Sequence, residues 1–235
     1  MRINQNIMAF NAYRNIQTTN TQLGKSLEKL SSGYRINRAA DDAAGLAKSE
    51  SLRAEIRGTQ QAIRNAQDGI SWVQTAEGAL QEVHSILQRM RQLAVDAANT
   101  ATTDGEAQQA EVEELLDELD SIGTRTTFAG VEVFQNYSAT GAALTFHVGA
   151  NAGQSLQIAQ DLRLDVTGAA GVFNDGAAIN VQGINLTTGA DAAIGVLDDA
   201  IAAVSGVRST LGATQNRLEH TIANLSVAVE NLSAS

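Results

Sequence analysis

Residues 190–232 read ADAAIGVLDDAIAAVSGVRSTLGATQNRLEHTIANLSVAVENL and carry the most regular apolar pattern in the chain. Its apolar residues fall on two lines, a main line that repeats every seven positions and a second line of Ile194, Ile201, Ile222 and Val229. This spacing predicts one helix with an a/d seam of the coiled-coil type, roughly 65 Å long at 1.5 Å per residue. A seam of that length has to be buried against another helix. The residues of the main line are Ala190, Leu197, Val204, Leu211, Leu218, Leu225 and Leu232.

Residues 44–98 contain the matching seam, so we expect the two segments to pack against each other as antiparallel helices. A shorter helix is predicted over 105–122, with Val112, Leu115, Leu116, Leu119 and Ile122 inward and an acidic face, EVEELLDELD, in solvent. The two apolar lines of the 44–98 seam are Ala66, Val73, Leu80, Leu87 and Ala94, and Ala76, Val83, Met90 and Ala97.

The sequence changes character between residues 123 and 189, where ten glycines occur and short β-type runs replace the heptads. ALTFHVG and QSLQIAQ flank ANAG (150–153), which predicts a β-hairpin with a glycine-containing loop. INVQGINL (179–186) is predicted to be a further strand or a small turn. The expected fold is mainly α: a long antiparallel, coiled-coil-like bundle over 41–235, with a small β-hairpin-rich region at 123–189 inserted between its helices.

Residues 1–40 are predicted to form a separate N-terminal segment and a joint. A first helix is expected over 3–32, although its middle, NAYRNIQTTNTQ, is too polar for a stable isolated helix. In LSSGYRINRAADDAAGLA (30–47), Gly33 ends that helix and either Asp41 or Asp42 caps the next one. Arg35 and Arg38 are expected to meet acidic groups of this chain or of a neighbour.

Composition and motifs argue against an enzyme and against a nucleic-acid partner. The chain has no cysteine, and its net charge is −10. Residues 1–99 hold twelve Lys/Arg against nine Asp/Glu, and residues 100–235 hold four against seventeen. No apolar run approaches the roughly 20 residues of a membrane span, so no membrane partner is expected. The three histidines lack HExxH spacing and no phosphate-loop motif occurs. No catalytic residue, metal or cofactor is therefore expected.

Several long motifs occur in a fixed order: MRINQNIMAFNAYRN, LEKLSSGYRINRAADDAAGLAKSESLRAEIRG, NAQDGISWVQTAEGAL and LQRMRQLAVDAANT near the N-terminus, then VGANAG and STLGATQNRLEHTIANLSVAVENLSAS. Together they resemble the family of bacterial flagellins. The resemblance implies a self-assembling structural subunit of the extracellular flagellar filament. It implies export by the type III flagellar apparatus and its chaperones, and contacts with other subunits and with hook-associated and cap proteins. A hook–filament junction protein is the alternative, and it would be expected to diverge more within residues 30–98.

The resemblance also implies recognition by the innate immune receptor Toll-like receptor 5. The family's receptor motif is matched by QRMRQLAV (88–95). Carried over residue by residue, the expected contact residues are Gln88, Arg89, Arg91 and Leu93, with Glu111 on the acidic helix. The alternative is that Arg89 and Glu111 serve only the packing between subunits.

The family pattern continues beyond the point where this sequence ends, ENLSAS, with a terminal helix that pairs with the N-terminal segment. The comparison leads us to expect a C-terminally truncated chain in which filament-core residues 1–40 lack their partner. Such a chain is expected to fold through its bundle without forming stable filaments.

Overall fold

A computed structural model describes residues 6–99, 105–134, 144–158, 162, 164, 181 and 183–234 of the chain. These residues form two compact units, Met1–Glu55 and Ile56–Ser235. The mainly helical fold expected from the sequence is confirmed. The elements are α1 Ile7–Ser32, α2 Ala43–Ala97, α3 Glu106–Arg125, β1 Thr127–Phe128, β2 Val131–Glu132, β3 Leu144–His147, β4 Ser155–Ile158 and α4 Leu186–Ala234.

Helix α1, in the first unit, buries none of its residues. It begins where the Asn6 side chain accepts a hydrogen bond from the backbone N–H of Ala9 at 3.2 Å. It ends at Gly33, whose φ of 72° is the left-handed conformation that glycine adopts without strain. Its apolar side chains remain in solvent, for example Phe10 at 72% and Leu30 at 80% exposed. The apolar face of the helix is therefore not buried against the rest of its unit.

The core of the second unit lies between α2 and α4, along the two seams that the sequence predicts. Both apolar lines of α2 from Ala66 to Ala97 are buried. The helices run antiparallel: Arg91 of α2 pairs with Asp198 of α4, whereas Glu77, earlier in α2, lies 3.5 Å from Arg208, later in α4. The described α4 residues that are fully buried are Leu197, Ala200, Val204, Leu211 and Leu218.

Helix α3 folds back over the end of α2 and buries Val112, Leu116 and Leu119. The Gln109 side chain ties this helix to the entry of α4. Its amide oxygen accepts from the Leu186 backbone N–H at 2.8 Å, and its amide nitrogen donates to the Ile184 carbonyl at 3.4 Å. The N-terminal ends of α3 and α4 are thereby held together.

The described strands form two small antiparallel hairpins. The β1–β2 pair turns through Ala129 and Gly130, both with positive φ. The β3–β4 pair confirms the predicted hairpin around ANAG, with Leu144 opposite Ile158 and His147 opposite Ser155. This second hairpin lies on α2.

The β3–β4 hairpin contacts α2 through polar and aromatic side chains. The Asn65 side chain donates to the His147 carbonyl at 3.0 Å, and the Trp72 and Phe146 rings lie 6.2 Å apart.

Of the two alternatives predicted for INVQGINL, the described residues show the turn: the Ile184 N–H donates to the Val181 carbonyl at 3.3 Å, and residues 183–185 lead into α4. Several residues of 159–182 lie outside the described part of the chain. Helix α4 starts four residues before the predicted position 190, because Asn185 caps a first turn by accepting from the N–H groups of Thr187 and Thr188. The non-helical backbone of Gly189 (φ −150°) then separates this turn from the long helix.

Replacement of Leu211 by alanine tests the α2–α4 seam. Leu211 is fully buried, so Leu211→Ala should lower the free energy of unfolding by about 2–5 kcal/mol. Leu225→Ala is the matched control, because it removes the same atoms from a half-buried position of the same line. Urea denaturation followed by circular dichroism measures both. Equal losses for the two variants would contradict the proposed position of the core.

Candidate interaction surface and inter-helix joint

Helical periodicity in α2 divides residues 88–93 between the surface and the core. Gln88 and Arg89 are exposed, and Arg91 is partly exposed. Leu93 is only 6% exposed and packs in the core with Met90. Within this chain the Leu93 side chain is therefore largely buried beneath the exposed residues, and its expected contact with a partner stays a prediction.

Arg89 of α2 pairs with Glu111 of α3 across the helix–helix boundary. Its Nε donates to Glu111 Oε1 at 2.7 Å, and Nη2 lies 2.7 Å from the same oxygen. The Arg89 and Glu111 side chains are 51% and 43% exposed to solvent. Because water competes for both charges, the pair stabilises the fold by less than about 1 kcal/mol. Both groups remain accessible to another protein.

Arg91 turns toward α4 and makes a forked ion pair with Asp198. Nε donates to Oδ1 at 2.5 Å and Nη2 donates to Oδ2 at 3.3 Å. The hydrogen bond from Arg91 and its positive charge together lower the pKa of Asp198, against a smaller opposing effect of desolvation. The same contact raises the pKa of Arg91. Arg91 thus joins two helices of its own chain.

Gln88 lies beside Arg89 and has a partner on its own helix. Its amide nitrogen is 2.9 Å from Nε2 of His84, one turn earlier in α2. This contact fixes the direction of an exposed amide at the edge of the Arg89–Glu111 pair.

The joint between α1 and α2 is held by side chains that bond to nearby backbone. Asp42 caps α2 by accepting from the Gly45 N–H at 2.9 Å, and Asp41 accepts from the N–H groups of Asn37 and Arg38. Desolvation raises the pKa of Asp41, but these two N–H donors and two nearby lysines lower it by more. The two aspartates therefore stabilise two consecutive turns.

The two arginines of the joint differ in their contacts. Arg38 donates from Nε to Glu28 at 2.7 Å, which connects the joint to the last turns of α1 and raises the pKa of Arg38. Arg35 is exposed, and among the residues that the structure describes no acidic side chain pairs with it.

Sequence reasoning missed the partners Glu28, His84 and Asp198. Asp198 could have been found, because Arg91 and Asp198 both follow seam residues at the heptad position that flanks the interface. The hydrogen bonds of Gln109 to the entry of α4 could not have been found in this way, because one glutamine on a polar helix face resembles any other.

These features define a class of protein. Within the described residues no group of three or more His, Asp or Glu side chains is arranged to hold a metal ion, and no helix is long and apolar enough to cross a membrane. What the chain presents is an antiparallel helical scaffold, exposed ion pairs and a helix with an uncovered apolar face. Such surfaces suit a structural protein that associates with other proteins.

Two family models match the chain: the bacterial flagellin N-terminal helical region at residues 3–139, and the bacterial flagellin C-terminal helical region at residues 194–235. The chain is 45% identical over 259 residues to flagellin of Bacillus subtilis, covering all of this chain and 85% of that protein. It is 48% identical over 238 residues to flagellin of Halalkalibacterium halodurans, covering all of this chain and 84% of the relative.

Solved structures agree with this similarity. A crystal structure of Bacillus cereus flagellin covers 69% of this chain and 88% of its own, with 29% identity and a TM-score of 0.55. A putative flagellar hook-associated protein from Vibrio parahaemolyticus covers 84% of this chain and 99% of its own, with a TM-score of 0.60 but only 20% identity. The second likeness concerns the fold alone.

The chain belongs to the bacterial flagellin family. It is a structural subunit of the flagellar filament, a polymer of such subunits, and not an enzyme. The curated relatives at 45–48% identity are flagellins, which favours this assignment over the hook–filament junction alternative.

The Arg91–Asp198 pair should make stability depend on pH. Because the pKa of Asp198 is lower in the folded chain than its ordinary 3.8, its contribution is present above that value and lost as the pH falls through the folded pKa. Asp198→Asn should therefore lower the thermal midpoint slightly at pH 7, and the difference from the parent should vanish between about pH 5 and pH 2.

The neighbouring substitution Asp199→Asn is the control for charge alone, since among the described residues Asp199 has no ion-pair partner. Differential scanning calorimetry across this pH range compares the three proteins. A gap between parent and Asp198→Asn that persists at the lowest pH would show that the ion pair is not its source.

Proposed function

We propose that Gln88, Arg89 and Glu111 form a contact surface used in packing between filament subunits and in recognition by Toll-like receptor 5. The observation that supports this proposal is the exposed Arg89–Glu111 pair, which places a guanidinium and a carboxylate side by side on the accessible face of two helices. QRMRQLAV resembles the receptor motif of the family at this point. An amide side chain of a protein partner can bond to both groups at once, because its oxygen accepts from the guanidinium and its nitrogen donates to the carboxylate.

Arg91 and Leu93 have supporting roles in this proposal. Arg91 holds α2 to α4 through Asp198, and Leu93 packs beneath the surface. Both keep the α2 segment straight and correctly rotated, so that Gln88 and Arg89 face outward. Their substitution should act through the shape of the surface and through stability.

Arg89→Ala tests the receptor part of the proposal. We expect receptor activation in reporter cells to need about 10-fold or more additional protein, because a buried charged contact at an interface costs about 2 kcal/mol or more when one partner is removed. Arg217→Ala, an exposed arginine of α4, is the matched control and should activate like the parent. Unchanged activation by Arg89→Ala would remove this residue from the receptor surface.

A second proposal concerns α1, for which we infer a role as an assembly segment whose apolar face is covered by other subunit segments in the filament. Ile7, Phe10 and Ile16 are all more than half exposed, and the helix has no buried residue. Burying such a face stabilises an assembly by roughly 25 cal/mol per Å². Residues 30–47 then act as the joint between this segment and the bundle.

Phe10→Gln separates assembly from folding. Phe10 is 72% exposed, so the substitution should change the free energy of unfolding by less than about 0.5 kcal/mol while weakening association between copies. Sedimentation velocity over a range of concentrations measures the association. Val131→Gln, at a residue 54% exposed in β2, is the control and should alter neither property. A stability loss in Phe10→Gln, or association equal to that of the parent, would contradict the proposal.

Family membership also supports the remaining partners. We propose export through the type III flagellar apparatus with its chaperones, and contacts with hook-associated and cap proteins at the two ends of the extracellular filament. A flagellin-deficient bacterium producing this chain tests export: the chain should appear in the culture medium, and it should be absent there when the export apparatus is disabled.

A further inference from the structure

We propose that the cationic hollow beside the joint receives the acidic face of α3 from a second copy of the chain. The hollow, a cavity of about 340 Å³, is lined by Thr21, Lys25, Glu28, Lys29, Arg38, Ala40 and Asp41. The contact would be head-to-tail, between unlike surfaces, which is the kind that continues indefinitely along a helical polymer. It builds on the membership in the flagellin family.

Three cationic side chains, Lys25, Lys29 and Arg38, and the two carboxylates of Glu28 and Asp41 line the hollow, which therefore has an excess of one positive charge. Glu28 is paired with Arg38, and the carboxylate of Asp41 accepts from backbone N–H groups. Lys25 and Lys29, one turn apart on α1, have no ion-pair partner among the residues that the structure describes. The positive charges of both lysines contribute to the lowered pKa of Asp41. The hollow therefore keeps one positive charge in excess, on exposed ammonium groups that an external anionic group can reach.

The acidic face of α3 has the complementary arrangement. Glu113, Glu114, Asp117 and Glu118 are all exposed and lie in one stripe, at positions i, i+1, i+4 and i+5. Like charges one turn apart repel and destabilise a helix, so this stripe costs its own chain stability. No described basic side chain pairs with Glu114, Asp117 or Glu118.

The division of charge along the chain favours a second copy as the partner. Basic residues outnumber acidic ones in residues 1–99, and acidic residues outnumber basic ones by seventeen to four in residues 100–235. Each exposed ion pair is weak on its own and is screened over about 10 Å at 0.1 M salt. Repetition of the same contact by every subunit of a polymer makes a weak pair effective.

Crosslinking between two cysteine variants tests the contact, because the natural chain contains no cysteine. One copy carries Thr21→Cys at the hollow, and the other carries Ala110→Cys, one turn before Glu114. A short bis-maleimide should join them several-fold more efficiently than it joins Thr21→Cys to the control Ser226→Cys on α4. The excess should disappear on raising NaCl from about 20 mM to about 500 mM.

Charge reversal identifies the groups responsible. Glu114→Lys with Glu118→Lys in the copy that carries Ala110→Cys should abolish the excess crosslinking. Adding Lys25→Glu with Lys29→Glu in the copy that carries Thr21→Cys should restore it. Circular dichroism checks that each variant keeps its helix content. If the two lysine substitutions in α3 reduce it, Glu114→Gln with Glu118→Gln takes their place. Crosslinking no better than the Ser226→Cys control, or an excess that survives reversal on one side, would overturn the proposal. Neither result bears on the Arg89 surface or on the apolar face of α1.

Discussion

The antiparallel contact between the seams of α2 and α4 is the constraint on which the rest of the second unit depends. Leu80, Leu87, Leu197 and Leu211 are fully buried, although aromatic residues make up only 4% of the chain. A core of leucine, valine and alanine is thin, so its stability comes from length and from repetition of the same packing. Helix α3 and the β3–β4 hairpin can then be small, because each attaches to a surface that α2 already provides.

The two units gain stability in different ways. The second unit buries its own seam, whereas α1 has no buried residue and keeps Phe10 and Leu30 in solvent. Isolated helices are marginal in water even when their sequence favours them, and the middle of α1 is polar. On the proposed assembly role, the packing energy absent from the single chain is supplied by neighbours. Folding of the bundle and ordering of α1 would then be separate events, the second dependent on subunit concentration.

Much of the fold follows from sequence because its signals are long and redundant. Seven heptad positions define α4, and α2, α3 and the β3–β4 hairpin lie within a few residues of their predicted bounds. The sequence is less decisive where a signal is short or local. INVQGINL is too brief to distinguish strand from turn, and the Asn185 cap moves the start of α4 forward by one turn. The resemblance implies a partner contact for Leu93, which stays a prediction, but it says nothing of the residue's burial, which depends on the rotation of α2 within the bundle.

The Arg89–Glu111 pair limits how any partner can use this surface. Each charge already has a counter-charge within its own chain, so a partner gains little from neutralising either one alone. The favourable route is to add hydrogen bonds to the pair while excluding water around it, which strengthens the existing contact and adds new ones. A neighbouring subunit and a receptor that use this route would need the same accessible atoms. If both proposals hold, a subunit packed in the filament hides the surface, and the receptor competes with assembly for free subunits.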